Sequence, residues 1–324
     1  MALSTHDLVV SYGNEGTCAL DKVSIAVAAG RTLAIVGPSG AGKTTLLRAI
    51  AGLQRPSGGD VVLDGTSIVR RSPQARRIAL VFQDDALFAN MTVRGNLQFA
   101  LRSDTARSAA NVVEAAAALH IAGLLDRRPR QISGGERQRA SMARALLSDP
   151  RALLMDEPLA HLDPSLRRSV RDEVIGVRER FPGPIVYVTH DHTEAMSVGD
   201  ELAVLVNGRI EDTGDPQRVY DAPRTVEVAR FLGERPMNLL IEEEHVIGIR
   251  PEYVRLGVAG GLRGRIARRE STGADAYVVV TTPRGDVTVR VPAALAARPN
   301  DLVGLEFPPD CVRRFDRVSG IAIA

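Results

Sequence analysis

GPSGAGKT (residues 37–44) satisfies every position of the pattern G-x-x-x-x-G-K-[ST], and it does so in the right surroundings. RTLAIVG (31–37), which enters it, is a short β-rich run. KTTLLRAIAGL (43–53), which leaves it, has helical apolar spacing and stops at Gly52. A glycine-rich turn between strand and helix can be just a turn. With the whole motif present in this context, an anion cradle is the stronger reading. Gly37, Gly40 and Gly42, interleaved with Pro38, Ser39 and Ala41, let successive backbone N–H groups turn inward. The helix that follows adds its positive end. Lys43 can reach the β- and γ-phosphates of a nucleotide, the Thr44 hydroxyl can ligate Mg²⁺, and Thr45, next in the helix, is counted with them as a candidate ATP-binding residue.

Working outward, RALLMDEP (151–158) and PIVYVTHD (184–191) are near-continuous apolar runs separated by a helix from Pro164. That alternation predicts a parallel α/β core. ELAVLVNGRIEDTG (201–214) predicts a hairpin turning at Asn207-Gly208. Residues of about 90–150 read as a helical subdomain. After about 235 the segments become short, alternating and Gly/Pro-punctuated: HVIGIR, GRIARRE, AYVVVTT, DVTVRV and LVGLEF. They predict a small β-barrel of OB type. The expected organisation is an α/β P-loop nucleotide-binding domain over 1–234 and an OB-like domain over 235–324.

A phosphate loop needs a carboxylate for its metal. Asp156 stands at the carboxyl end of a buried strand, where open α/β sheets bind ligands, and would hold Mg²⁺ through water. Glu157 would then stand next to the γ-phosphate and polarise the attacking water. His190 ends a third apolar strand, a position more often structural than functional when taken alone. His190 and His192 without a third spaced ligand argue against a zinc site.

QISGGERQRA (131–140) is harder to explain by folding needs. Ser133 and Glu136 have the spacing of a capping box. Gly134 and Gly135 sit at the first two helical positions, where each costs about 0.5–1 kcal/mol relative to Ala. Bare N–H groups at a helix start permit close approach of an anion. The P-loop already surrounds its own nucleotide, so a second phosphate-reading helix suits a nucleotide held by another molecule.

With these motifs the chain resembles the ATP-binding subunit of ABC transporters over nearly its whole length. GPSGAGKT resembles Walker A, LLMDE Walker B, and ISGGERQ the family signature. The resemblance implies a head-to-tail dimer sandwiching two ATP molecules, a homodimer in the first instance with a heteromeric pair left open, with Ser133, Gly134, Gly135 and Glu136 at the trans nucleotide. It also implies that Tyr12 stacks on adenine, that Gln83 touches Mg²⁺ and the water, that His190 contacts the γ-phosphate, and that Asp163 of LAHLD crosses the interface. Lys43, Glu157 and His190 are the implied catalytic residues. Glu136 stands where the signature often has Gln and is expected to face away from phosphate. Ala160 and His161 depart from the usual D-loop, and Ala89 from a usual proline in FQDDALFANMTV.

FLGERPMNLL and IGIRPEYVRL resemble the linker and transport-associated OB domain of bacterial importer ATPases for carbohydrates and glycerol phosphate. Relatives serving polyamines, phosphonates or ferric iron share IRPE and are the alternative. A soluble ABC ATPase of DNA repair or translation is the rival class. The single cassette and the lack of a heptad run argue against it. The resemblance implies two transmembrane permease subunits and an extracytoplasmic solute-binding protein as partners, with this chain peripheral on the cytoplasmic face of the inner membrane. A net charge of +2 gives no argument for nucleic acid, Cys18 and Cys311 suggest a reducing compartment, and no apolar run is long enough to cross a bilayer.

Overall fold

In the computed structural model, which describes residues 2–13, 17–82, 87–101, 106–160, 162–257 and 261–323 (106–109 and 164–166 by backbone only), the P-loop strand lies inside a six-stranded sheet. The chain opens with the antiparallel pair β1 (Ala2–Tyr12) and β2 (Thr17–Ala28). β3 (Thr32–Val36) leads through the glycine loop into α1 (Lys43–Ala51). Next come β4 (Gly58–Leu63), β5 (Thr66–Ser67), α2 (Pro73–Arg76) and β6 (Ile78–Val81). Then follow α3 (Val93–Phe99), α4 (Ala106–Ala118) and, after two short 3-10 turns, α5 (Gly134–Leu147). The unit closes with β7 (Ala152–Asp156), α6 (Pro164–Arg180), β8 (Ile185–Val188), α7 (His192–Val198), β9 (Glu201–Val206) and β10 (Arg209–Gly214).

The main sheet runs β10-β9-β3-β8-β7-β6, parallel from β9 to β6 with β10 antiparallel at one edge. Its central strands are apolar throughout because alternate residues are buried on opposite faces. Leu154, Val186 and Val188 join Leu46, Leu47 and Ile50 of α1 in one core. Leu153, Met155, Ile185 and Tyr187 join Met142 of α5 and Val170 and Val174 of α6 in the other. Each such Leu, Ile or Val contributes about 1.5–3 kcal/mol by leaving water. Register then aligns the strand ends: Ile35 pairs with Val188, Asp156 with Val188 and Val81 with Met155. Loops carrying the P-loop, Glu157 and His190 therefore leave from one edge. A second, antiparallel sheet, β2-β1-β4-β5, was not anticipated from the sequence. The hairpin turn forms as expected, with Asn207 and Gly208 both at positive φ.

Contacts divide the chain into two compact units, Met1–Pro216 and Gln217–Ala324. The second unit holds α8 (Pro216–Asp221) for all but its first residue, then α9 (Val226–Phe231), β11 (Asn238–Ile241), β12 (His245–Ile249) and β13 (Arg255–Leu256). It continues with β14 (Leu262–Ser271), β15 (Asp275–Thr282), β16 (Gly285–Pro292), β17 (Leu302–Glu306), β18 (Arg313–Asp316) and β19 (Ala322–Ile323). Thus two short helices group with the β-rich segment, ahead of the composition change near 235. The sheet β13-β17-β14-β15-β16 is nearly closed and barrel-like around Ile266, Val278, Val280, Val287, Val289 and Leu305. Arg290 N donates to Pro251 O at 2.9 Å across the remaining gap.

Arg250 of the IRPE element ties this unit together. Fully buried, it donates to Tyr220 O at 2.8 Å, to Ala229 O at 3.4 Å and to Leu232 O, and its guanidinium lies 4.0 Å from the Tyr220 ring centre. Those carbonyls belong to the C-terminal ends of α8 and α9, where a cation is favoured. Burial pushes its pKa below the usual arginine range. Arg250→Met is expected to destabilise the second unit by about 3–5 kcal/mol, because several buried carbonyls lose their donor. Urea unfolding of the full chain, followed by a probe in that unit, would reveal it. An unchanged midpoint would remove Arg250 from this role.

Candidate nucleotide site

The P-loop's glycines are set by close approach. A Cβ on Gly37 would lie 2.0 Å from Leu205 O, and one on Gly42, at φ 103°, would lie 2.5 Å from Ala19 O. No side chain caps the start of α1, so its first N–H groups face the loop. Lys43 Nζ donates back to Gly37 O at 2.7 Å and Pro38 O at 3.0 Å. Burial pushes the Lys43 ammonium below the usual lysine range, against the opposing pull of Glu157 and Asp156.

Thr44 Oγ1 donates to Asp156 Oδ1 at 3.2 Å, and Asp156 is only 4% exposed. Burial pushes the Asp156 carboxyl above the usual carboxylate range despite that hydrogen bond. A buried carboxylate beside a hydroxyl is a hard, oxygen-only donor pair that fits a small divalent cation sharing its shell with phosphate and water. Among the described residues no cluster of three or more His, Cys, Asp or Glu could hold a metal without such help.

Glu157 sits at φ 45°, and its N–H donates to Val188 O at 2.9 Å. Positive φ in a residue with a Cβ is uncommon and concentrates at functional sites. Its Oε2 lies 2.9 Å from His190 Nδ1. Just past the ends of β7 and β8, the structure thus brings together two residues that the sequence keeps 33 positions apart. Tyr12 Oη is 3.2 Å from Thr45 Oγ1, with the residue 42% exposed. Base stacking on an aromatic is worth about 1–3 kcal/mol. Tyr12→Ala is therefore expected to weaken ATP binding by about five- to 100-fold while leaving the fold intact. Titration calorimetry with ATP would decide, and an unchanged Kd would remove Tyr12 from the site.

The capping box forms at α5: Ser133 N donates to Glu136 Oε2 at 2.7 Å, and Glu136 N to Ser133 Oγ at 3.3 Å. The Ser133 N–H holds the Glu136 carboxyl below the usual range. Glu136 therefore turns back toward the cap. A Cβ on Gly134 would meet Leu162 at 3.5 Å, ordinary van der Waals contact. Intrachain packing therefore does not require glycine there. Among the described residues, the side-chain hydrogen bonds of Ser133 and Glu136 close on each other's backbone N–H groups, and the Ser133 carbonyl accepts from Arg137 N at 2.9 Å. Asp163 is exposed, three residues after Ala160. Gln83 and His161 lie outside the described residues.

One feature near His190 was not read from the sequence. Tyr187 donates its hydroxyl to Glu194, and both residues are buried. The available signal was Glu194 three residues after Asp191, which looks like a capping box and points to the helix end rather than the interior.

A glycine-bound phosphate cradle, a Thr–Asp oxygen pair and a Glu–His pair on one edge of a parallel sheet define a P-loop ATP-binding cassette. The ABC transporter family model matches residues 20–160 and the TOBE domain model residues 247–315. The chain is 43% identical over 269 residues to an sn-glycerol-3-phosphate import ATP-binding protein of Rhizobium etli, covering 77% of each. A xylose/arabinose import ATP-binding protein of Haloferax volcanii is 35% identical over 366 residues, covering 98% of this chain and 94% of that one. Among solved structures, a dimeric ATP-binding cassette in a post-hydrolysis state with ADP and Pi matches with TM-score 0.60 at 27% identity, over 66% of this chain and 98% of that one. A nucleotide-free cassette from an ABC transporter matches with TM-score 0.63 at 26% identity, over 72% and 100%. The chain belongs to the ATP-binding proteins of ABC transporters.

Proposed function

We propose that this chain is the ATP-hydrolysing subunit of an importer for a sugar or glycerol phosphate, working as a homodimer against two permease subunits. The observation that carries the chemistry is the 2.9 Å contact of His190 with Glu157 beside the buried Thr44–Asp156 pair. The import direction and solute class rest on the relatives, whose names specify import of sn-glycerol-3-phosphate or of xylose and arabinose.

Tyr12 stacks on adenine, and residues 37–45 enclose the phosphates as Lys43 leaves its own loop carbonyls for the β- and γ-phosphates. Thr44 and Asp156 would hold Mg²⁺, with Gln83 assigned to assist by resemblance to the family alone. Bound there, Mg²⁺ neutralises charge on the phosphates. Glu157 polarises the attacking water. His190 steadies Glu157 and touches the γ-phosphate. In the dimer, Ser133, Gly134 and Gly135 of one copy present the start of α5 to the nucleotide held by the other, and Asp163 lies at the same interface. Glu136, committed to the Ser133 N–H, stays off the phosphate. ATP binds more tightly to the closed dimer than to the open one, so it drives closure, and loss of the γ-phosphate lets the dimer reopen. An extracytoplasmic binding protein would deliver the solute, with this chain peripheral at the cytoplasmic membrane face. Residues 235–324 form the transport-associated module.

Purification of the tagged chain from detergent-solubilised native membranes tests this reading. Two polytopic membrane proteins and a solute-binding protein loaded with a sugar or glycerol phosphate are expected to follow it. Recovery with soluble partners only, under conditions that keep other membrane complexes intact, would overturn it.

A further inference from the structure

His190 must be held within a fraction of an ångström of Glu157 to act, yet it is carried on a turn between β8 and α7. Glu194 lies in the first turn of α7, where its carboxylate could have reached back to the Asp191 N–H. That donor goes instead to Thr189 Oγ1 at 3.1 Å, and Asp191 Oδ1 takes Glu194 N at 2.9 Å. The Glu194 carboxylate turns inward, 4% exposed, to accept the hydroxyl of fully buried Tyr187. Burial pushes the Glu194 carboxyl above its usual range, so holding it there costs stability that a cap at the helix surface would not. The strand side of the turn is fixed as well: Thr189 N donates to Ile35 O at 3.2 Å.

We infer that Tyr187 and Glu194 are positioning residues for the hydrolytic site, bridging the end of β8 and the first turn of α7 so that the intervening His190 is held at Glu157. The bond spans seven residues and has His190 near its middle. It ties β8, packed in the core, directly to α7, so the turn cannot rotate independently of the sheet. Both residues are buried, Tyr187 fully and Glu194 to 4% exposure. Their action goes through the imidazole alone, and the proposal rests on the role given to His190 above.

The test compares the full-length chain with Tyr187→Phe, Glu194→Gln and Glu194→Ala, each alone and combined with His190→Ala. Tyr187→Phe keeps the ring and its packing and removes only the donor. It is expected to lower kcat for ATP about tenfold or more, because small misplacements of a reacting group carry large rate penalties. The Kd for Mg-ATP should remain within about twofold, which separates positioning from binding. Glu194→Gln keeps an acceptor for the Tyr187 hydroxyl and should hold kcat near wild type, whereas Glu194→Ala, which also removes a partner of Thr189, should lower kcat at least as far as Tyr187→Phe. In the His190→Ala background these substitutions should cause no further loss, since they act through that side chain. Should Tyr187→Phe retain full kcat, or lose the same factor with and without His190, the proposal falls while the ATPase reading stands. Should His190→Ala alone leave kcat unchanged, the role given to His190 fails, and this proposal with it.

Discussion

Glu157→Gln is expected to bind Mg-ATP as wild type does and to hydrolyse it about 10²–10³-fold more slowly, accumulating a stable dimer. The magnitude is that of losing a general base, which contributes about 10²–10⁴-fold. The substitution keeps the volume of the side chain and a polar partner 2.9 Å from His190 Nδ1. It removes only the charge that polarises water. Nothing at Tyr12–Thr45 or in the Lys43 loop is altered, so affinity should hold. With the γ-phosphate retained, the link between copies is not cut and the dimer outlasts gel filtration. Wild-type turnover would exclude Glu157 as the base, and a monomer at saturating Mg-ATP would count against the sandwich.

Gly134→Asp should separate the two phosphate-binding sites. The position has room for a side chain, since Leu162 stands 3.5 Å from where an added Cβ would lie. A carboxylate at a helix start is itself stabilising by about 0.3–1 kcal/mol. The isolated variant should therefore fold as well as wild type and bind ATP unchanged at its own P-loop. In the dimer the same carboxylate would face the phosphates held by the other copy. Two like charges 4 Å apart repel by about 4 kcal/mol at an effective dielectric constant of 20, which corresponds to a loss of about 10²–10³-fold in turnover. Equilibrium ATP binding and steady-state hydrolysis on one preparation would settle it. Unimpaired hydrolysis would mean that α5 does not approach a second nucleotide.

The central strands and the P-loop were legible because burial on both faces leaves apolar runs that need no register to be recognised. RTLAIV, ALLMD and IVYV are such runs, and each became a strand. The N-terminal sheet was less legible because its pairing is broken. Register shifts interrupt β1 on β2 between Thr5 and Leu8, Leu8 and Val10, and Val10 and Ser11, and Asp7 and Lys22 sit at positive φ. Those irregularities disrupt the two-residue alternation on which a strand is recognised. In the Ala-rich segment 111–125, α4 stops at Ala118 and the chain turns at His120, at φ 54°. No glycine or proline stands there to announce the end. At the site, Ser133 and Glu136 could be paired from spacing alone because a capping box is local. Tyr187 and Glu194 could not, since whether a glutamate in a first helical turn faces the cap or the core depends on the strand packed behind it.

Lys43, folded onto the carbonyls of Gly37 and Pro38, bears on how quickly the site can fill and empty. Its ammonium ties two carbonyls of the loop to the start of α1, so the loop is braced from within. Binding a phosphate there asks one buried side chain to exchange carbonyl partners for phosphate oxygens, and does not ask for the ordering of a segment. Entry and exit of nucleotide on a single copy then turn on that one exchange of partners rather than on refolding of the loop.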